Sequence, residues 1–208
     1  MNRRLNSIWL FVAAVVLIPV AVFGIVNWLE LNFKELPVFG EANHRIEDFK
    51  MFDQNNKTVS ARDWDHKIVV ANFFFTHCIT ICPKMIINLK TVQQSFVNDD
   101  NVLINSFTVD PGRDSSSRLL EYSKQFGIGA HNWKLLTGDK KEIYRLARKS
   151  FLVVATDGDG GPNDFIHSEK LVLIDNEKRI RGFYNGTNES EVSQLIKDIK
   201  KLRKEMGN

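Results

Sequence analysis

The sequence predicts an α/β fold, a central sheet covered by helices, carried behind one N-terminal transmembrane helix. Three observations predict it. An uncharged apolar run from Ile8 to Val26 follows the opening MNRRLNS. The remainder alternates apolar runs of strand length with segments whose apolar residues recur at three- and four-residue steps. Strands at the start and near the end read as hairpins, and no internal repeat interrupts the series, which suits one sheet with helices packed on it.

The apolar run has 19 residues. At about 1.5 Å each they reach roughly the hydrocarbon thickness of a bilayer. Arg3 and Arg4 precede the run, while Glu30, Lys34 and Glu35 after it are mixed in sign. The positive-inside bias keeps residues 1–7 in the cytoplasm and places the rest on the far, periplasmic (extracytoplasmic) side. A cleaved signal peptide competes, since Pro19 interrupts the segment, but no small-x-small cleavage site or lipidation cysteine follows it. The expectation is an uncleaved single-pass anchor over 8–26. Residues 27–45, punctuated by Pro37 and Gly40, read as a linker, and 46–208 as one domain large enough for a good core. A net charge of +3, with acids and bases interleaved, describes solvated faces and argues against nucleic acid as a partner.

Within the domain, IEDFKMFDQNNKTVS reads as two short strands around a polar turn. KIVVANFFF is a continuous apolar run, the pattern of a strand buried on both faces. From Pro83, a residue suited to a first helical turn, Met85, Ile86, Leu89, Val92 and Phe96 mark a helix. NVLINSFTVD is a second core strand. Asp114 is placed to cap a helix carrying Leu119, Leu120 and Phe126 and ended by Gly127. WKLLTG is a short strand, and Asp139 with Glu142 opens the next helix. Residues 155–166 form a polar, glycine-rich loop. HSEKLVLIDNEKRIRGFYNG is a hairpin turning at Asp175–Lys178, and Asn188 with Glu191 caps a last helix striped by Val192, Leu195, Ile196, Ile199 and Leu202.

The two cysteines of the chain, Cys78 and Cys82, stand at the junction between the buried strand and the helix. A helix N-terminus presents unpaired N–H groups and the positive dipole end, both of which favour thiolate. A spacing of four puts the sulfurs about one turn apart, able to close on each other or on a soft ion such as Cu(I) or Zn(II), which needs a further ligand. A structural pair is the plain alternative. Of five histidines, His77 on a strand points away from Cys78, and His44, His66 and His131 occupy polar surface contexts. His167 ends the long loop and precedes a strand that can lie beside the one feeding Cys78, so it is the candidate third ligand; a loop histidine bonded to backbone is the competing reading. DGDGGPND resembles the start of a calcium loop, but Pro162 replaces the required glycine and Ser168 the closing glutamate.

Together FTHC…CP, TVDPGRD, WKLLTG and HSEKLVLID…G, in that order behind an anchor, resemble the SCO/SenC family of membrane-anchored, thioredoxin-fold copper proteins. The resemblance spans about Ile46 to the last helix. It implies a thioredoxin-like sheet and one copper ion bound by Cys78, Cys82 and His167. It implies delivery of copper to the dinuclear copper site of cytochrome c oxidase, or reduction of that site's cysteines, with the oxidase copper-binding subunit as partner. A second copper chaperone or a thiol reductase would be a further partner. Asp110, Pro111 and Asp114 match the family's DPxxD and would support the site without ligating. Where the family commonly has Pro-Asp after the first cysteine, this chain has Ile79 and Thr80, removing a negative charge beside the metal. The rival keeps the fold and drops the metal: a thiol–disulfide oxidoreductase, or a redox or copper sensor, with Cys78 attacking and Cys82 resolving.

Overall fold

The computed structural model describes residues 13–27, 35–129, 131–154, 161, 164, 166 and 168–207. Two compact units, Met1–Glu35 and Leu36–Asn208, divide the chain. In the first, residues 13–27 form helix α1. Residues 8–12 of the expected transmembrane segment lie outside the described residues. Among those described, no helix is long and apolar enough to cross a membrane.

The second unit is a mixed α/β fold around one seven-stranded sheet in the order β2-β1-β5-β4-β3-β6-β7. The strands are β1 (Lys50–Asp53), β2 (Thr58–Ser60), β3 (Ile68–Phe74), β4 (Val102–Thr108), β5 (Trp133–Thr137), β6 (Lys170–Ile174) and β7 (Ile180–Asn185). The helices are α2 (Ile81–Ser95), α3 (Ser116–Phe126), α4 (Lys140–Arg145), continued by a π-helical turn at Leu146–Ser150, and α5 (Glu189–Glu205). Both expected hairpins form: β1 pairs with β2, and β6 with β7, antiparallel.

Strand β3 lies inside the sheet, between β4 and β6, with all seven residues buried. Ile68, Val70 and Phe74 pack on one face with Met85, Ile86 and Leu89 of α2, Leu119 of α3 and Leu195 and Ile199 of α5. Val69, Ala71 and Phe73 pack on the other with Trp64, Phe107, Ile143 and Phe151. Coverage on both faces explains why this strand reads as unbroken apolar sequence while half-buried β1 alternates. Burying each such side chain stabilises the fold by about 1.5–3 kcal/mol.

Helix ends follow their local chemistry with one correction. Asp139 caps α4 by accepting the Glu142 N–H, Asn188 caps α5 by accepting from Ser190 and Glu191, and Gly127 ends α3 at φ +60°. Asp114, however, does not cap α3. Ser115 does, accepting from Arg118 N–H, and Asp114 turns inward with no exposed surface. The carboxylate of Glu191 accepts from Asn185 N–H at 2.6 Å, tying α5 to the end of β7.

The segment expected as linker packs on the domain from Leu36 onward. Arg181 of β7, 4% exposed, donates to the carbonyls of Leu36 at 2.6 Å and Pro37 at 3.1 Å, and to Asp175 and Glu205. Phe39 bridges to Ile180, and Ile46 N–H reaches the Lys178 carbonyl.

Candidate thiol and metal site

Strand β3 runs parallel to β4 and antiparallel to β6, with Val69 opposite Ile174 and Ala71 opposite Val172. The chain leading into β6 therefore returns to the end of the sheet where β3 hands over to the cysteines. Between β3 and α2, Thr76 to Cys78 form a turn in which Cys78 N–H donates to the Phe75 carbonyl at 3.3 Å.

Helix α2 begins at Ile81, two residues before Pro83, so Cys82 lies inside the first turn. Thr80 at the N-cap makes no side-chain cap bond, and no acidic residue occupies the first turn. The Cys82 N–H donates instead to Cys78 Sγ at 3.3 Å. The Cys78 sulfur thus stands where a capping oxygen usually does.

That geometry separates the two thiols. At Cys78, burial pushes the thiol up, but hydrogen bonds from the Cys82 amide and thiol and from the Thr80 and Ile81 amides outweigh it and hold Cys78 below the usual cysteine value. Burial pushes Cys82 up to about 12, opposed by a hydrogen bond from the Phe75 backbone and reinforced by the Cys78 hydrogen bond and the charges of Cys78 and Asp114. Neither is in a disulfide; Cys78 is half-buried and Cys82 buried.

Behind the turn, Asp114 accepts from Thr76 N–H at 3.0 Å, Thr76 Oγ1 at 2.6 Å and Thr108 Oγ1 at 2.5 Å. The Asp110-Pro111 turn aims it there: the amides of Arg113 and Asp114 both donate to the Asp110 carbonyl. Two members of the DPxxD motif therefore build a buried brace for the cysteine turn.

Both cysteines line a cleft of about 380 Å³ whose walls include Phe73, Phe75, Ile79, Val109, Ile166 and Ser168. Its lining is mostly apolar, and Ile79 between the cysteines is 90% exposed. His167 lies outside the described residues, but both of its chain neighbours line this cleft with the cysteines. His77 departs from expectation. Strand β3 ends at Phe74, so strand alternation does not reach residue 77, and His77 lines the same cleft, with Nδ1 3.2 Å from Thr76 Oγ1. His44 is not a surface residue either: it is partly buried and bonds the Ser150 carbonyl at 2.8 Å, whereas His131 pairs with Asp100 at the surface. Thr76, Val109, Ile166 and Ser168 were not legible as site residues. Thr76 stands out only as the polar residue ending an apolar run.

The donor set fits a soft ion in part. Two cysteines brought together at the start of α2, with the Cys82 N–H on Cys78 Sγ, suit Cu(I) or Zn(II). Among the described residues no group of three His, Cys, Asp or Glu gathers to hold a metal.

Comparison with known proteins adds the following. The SCO1/SenC family profile matches residues 39–204. The SCO1 protein homolog of Bacillus subtilis is 30% identical over 160 residues, covering 76% of this chain and 82% of that protein. BsSco, described as having a disulfide switch and as a member of the Sco family of cytochrome c oxidase assembly proteins, superposes with a TM-score of 0.66 at 28% identity, covering 79% of this chain and 96% of its own. The copper-bound ScoI of Bradyrhizobium japonicum superposes with a TM-score of 0.61 at 25% identity, covering 75% of this chain and 98% of its own.

Proposed function

The chain belongs to the SCO1/SenC family, and from that premise we propose that it is a copper metallochaperone acting in the assembly of cytochrome c oxidase. Cys78, Cys82 and His167 would hold one copper ion as cargo, destined for the dinuclear copper site of the oxidase. The observation that carries this reading is the cleft itself. Its lining brings together the two cysteines at the start of α2 and the residues on either side of position 167. Copper-bound ScoI and BsSco, a member of an oxidase-assembly family, share the fold over most of the chain and support the assignment.

When bound, copper brings soft thiolate coordination that exchanges through shared ligands. The protein's part is to supply sulfur in the form the ion needs. Cys78 is held toward thiolate by the α2 amides, whereas Cys82 keeps its proton until a ligand replaces it, so loading releases a proton. The mostly apolar lining limits water at the buried Cys82, and the half-buried Cys78 beside the exposed Ile79 rim is open to an incoming cysteine. In the cell, residues 8–26 would anchor the chain in a membrane, with the domain on the periplasmic side and Arg3 and Arg4 in the cytoplasm.

A second reading rests on the unequal thiols: a lowered Cys78 beside a buried, protonated Cys82 is the arrangement of an attacking and a resolving thiol, and BsSco carries a disulfide switch. The full chain, reduced and in detergent, should be titrated with Cu(I) against a competing chelator beside His167→Ala and His77→Ala. One tight equivalent lost in His167→Ala supports the chaperone. Loss in His77→Ala alone moves the third ligand to His77. No tight copper in the wild type, with rapid disulfide exchange, favours the oxidoreductase.

A further inference from the structure

Helix α5 carries an unbalanced charge on its outer face. Its buried stripe is Val192, Leu195, Ile199 and Leu202. Lys197, Lys200, Lys201 and Lys204 recur at i, i+3, i+4 and i+7, and at about 100° per residue they fall on the side opposite that stripe. Lys197, Lys200 and Lys204 are exposed, and Lys201 is half-buried. The acids of the same turns are engaged elsewhere: Asp198 accepts from Tyr184 and Gln194, and Glu205 from Leu36 N–H and Arg181. Arg203 points off this face and pairs with Asp99. Among the described residues no carboxylate pairs with the four lysines. Like charges at these spacings weaken a helix by repulsion. The helix dipole rewards cations in the last turn, where Arg203 and Lys204 already stand. Lys197, Lys200 and Lys201 need another cause.

The same helix end receives the start of the domain. Leu36 N–H donates to Glu205 at 2.9 Å, and the Leu36 carbonyl accepts from Arg181 at 2.6 Å, so residue 36 is held beside the last turn of α5. Residues 27–35 alone separate it from the end of the apolar run at Val26, a reach of about 30 Å at full extension. We propose that the lysine face of α5 is a docking surface for the anionic phospholipid headgroups of the bilayer that anchors the chain. The inference rests on the reading that residues 8–26 are a membrane anchor. That tether favours lipid over an acidic protein, because it keeps the face near one surface at all times. Attraction between clustered lysines and anionic headgroups acts within a Debye length, about 10 Å at 0.1 M salt, and adds to an anchor as a second signal. The fold gives such docking a direction. Glu191 bonds Asn185 and Glu205 bonds Arg181, so α5 runs antiparallel to β7. Asn185 lies opposite Lys170, next to cleft-lining Glu169, which puts the lysine end of α5 away from the cysteines. A docked domain therefore keeps its thiols open to a partner on the aqueous side.

The test places the full chain in nanodiscs of zwitterionic phosphatidylcholine, alone or with roughly one third anionic phosphatidylglycerol. A brief pulse of a lysine-acetylating ester is applied, and mass spectrometry reads each site. In the anionic discs at low salt, Lys197, Lys200, Lys201 and Lys204 are expected to react about fivefold more slowly than in the zwitterionic discs. Lys57, in the turn at the opposite edge of the sheet, should react equally in both. Raising salt to about 0.5 M should remove the protection. Lys200→Glu with Lys204→Glu should remove it from Lys197 and Lys201, and the salt series on wild type carries the test if that variant does not fold. Equal labelling of the four lysines in both discs overturns the proposal. Protection given by soluble polyglutamate and not by anionic discs assigns the face to an acidic protein and overturns it too. If the wild-type chain is not retained by phosphatidylcholine discs, the anchor reading is what fails. Flotation with phosphatidylglycerol vesicles then decides the lysine face: flotation lost in Lys200→Glu with Lys204→Glu keeps it, and no flotation of wild type overturns it.

Discussion

Asp114 Oδ1 accepts a 2.6 Å hydrogen bond from Thr76 Oγ1, joining the DPxxD turn to the residue two before Cys78. The same carboxylate takes the Thr76 amide and the Thr108 hydroxyl, so one buried acid satisfies three donors from two parallel strand ends. The cysteine turn leaves β3 in one direction because this brace fixes where the strand stops. Asp114→Ala would leave three donors unpaired in a fully buried place, and a loss of about 3 kcal/mol is expected. Asp114→Asn should lose less, since it retains an acceptor. Urea midpoints check the order, and a midpoint for Asp114→Ala within error of wild type would reject the brace.

The cysteines should react in sequence. With Cys78 below and Cys82 above the ordinary value of 9.0, alkylation of reduced protein between pH 7 and 8 should label Cys78 first, with its rate midpoint below 9.0 and Cys82 unlabelled until the protein opens. Linkage gives the stability counterpart. A depressed Cys78 contributes stability above 9.0 that fades as pH falls through its folded value. A raised Cys82 contributes below 9.0 and loses that contribution as pH climbs toward about 12. Mass spectrometry of partly alkylated protein decides the first point; equal labelling of both cysteines would reject the asymmetry.

What the sequence made legible were features whose cause is local. Strand β3 shows as an apolar run because both faces are covered, and the caps at Asp139 and Asn188 act within three residues of themselves. Asp114 was misread because Asp followed by Ser offers two cap candidates, and the partner that decides, Thr76, is 38 residues away. The alternation argument against His77 failed because β3 ends three residues earlier. Residues 36–45 read as linker because their holder, Arg181, lies 145 positions from Leu36. The neighbourhood of β6 and β3, which brings the flanks of position 167 to the cysteines, followed from element order and was legible.

Arg181 gives a third prediction. Its guanidinium holds two backbone carbonyls and two carboxylates while 4% exposed, and Glu205 also receives Leu36 N–H at 2.9 Å. Arg181→Met keeps much of the stem volume but takes the buried cation from Glu205 and from Asp175, which retains Arg179 at 2.7 Å, and frees the Leu36 and Pro37 carbonyls, for an expected loss of about 3 kcal/mol. Limited proteolysis should then cut near Leu36–Phe39, with the thiol alkylation pattern unchanged. Resistance there equal to wild type would show that Phe39 and Ile46 hold the segment without the arginine.

Thr80 offers the sharpest test of why Cys78 is acidic. It occupies the α2 N-cap without a cap bond, and the third helical residue is Pro83, which has no N–H to give. The first-turn amide of Cys82 therefore matters most, and it is spent on Cys78 Sγ. Thr80→Asp introduces a carboxylate that competes for that amide. Helix capping and the dipole should raise stability, by up to about 1 kcal/mol. The added negative charge and the lost hydrogen bond should both raise the Cys78 thiol, moving its alkylation midpoint up and slowing its reaction at pH 7. Thermal melting and the pH dependence of alkylation, measured on the same reduced protein, separate the two effects. A stabilised helix with an unmoved Cys78 midpoint would mean that the α2 amides are not what holds this sulfur toward thiolate.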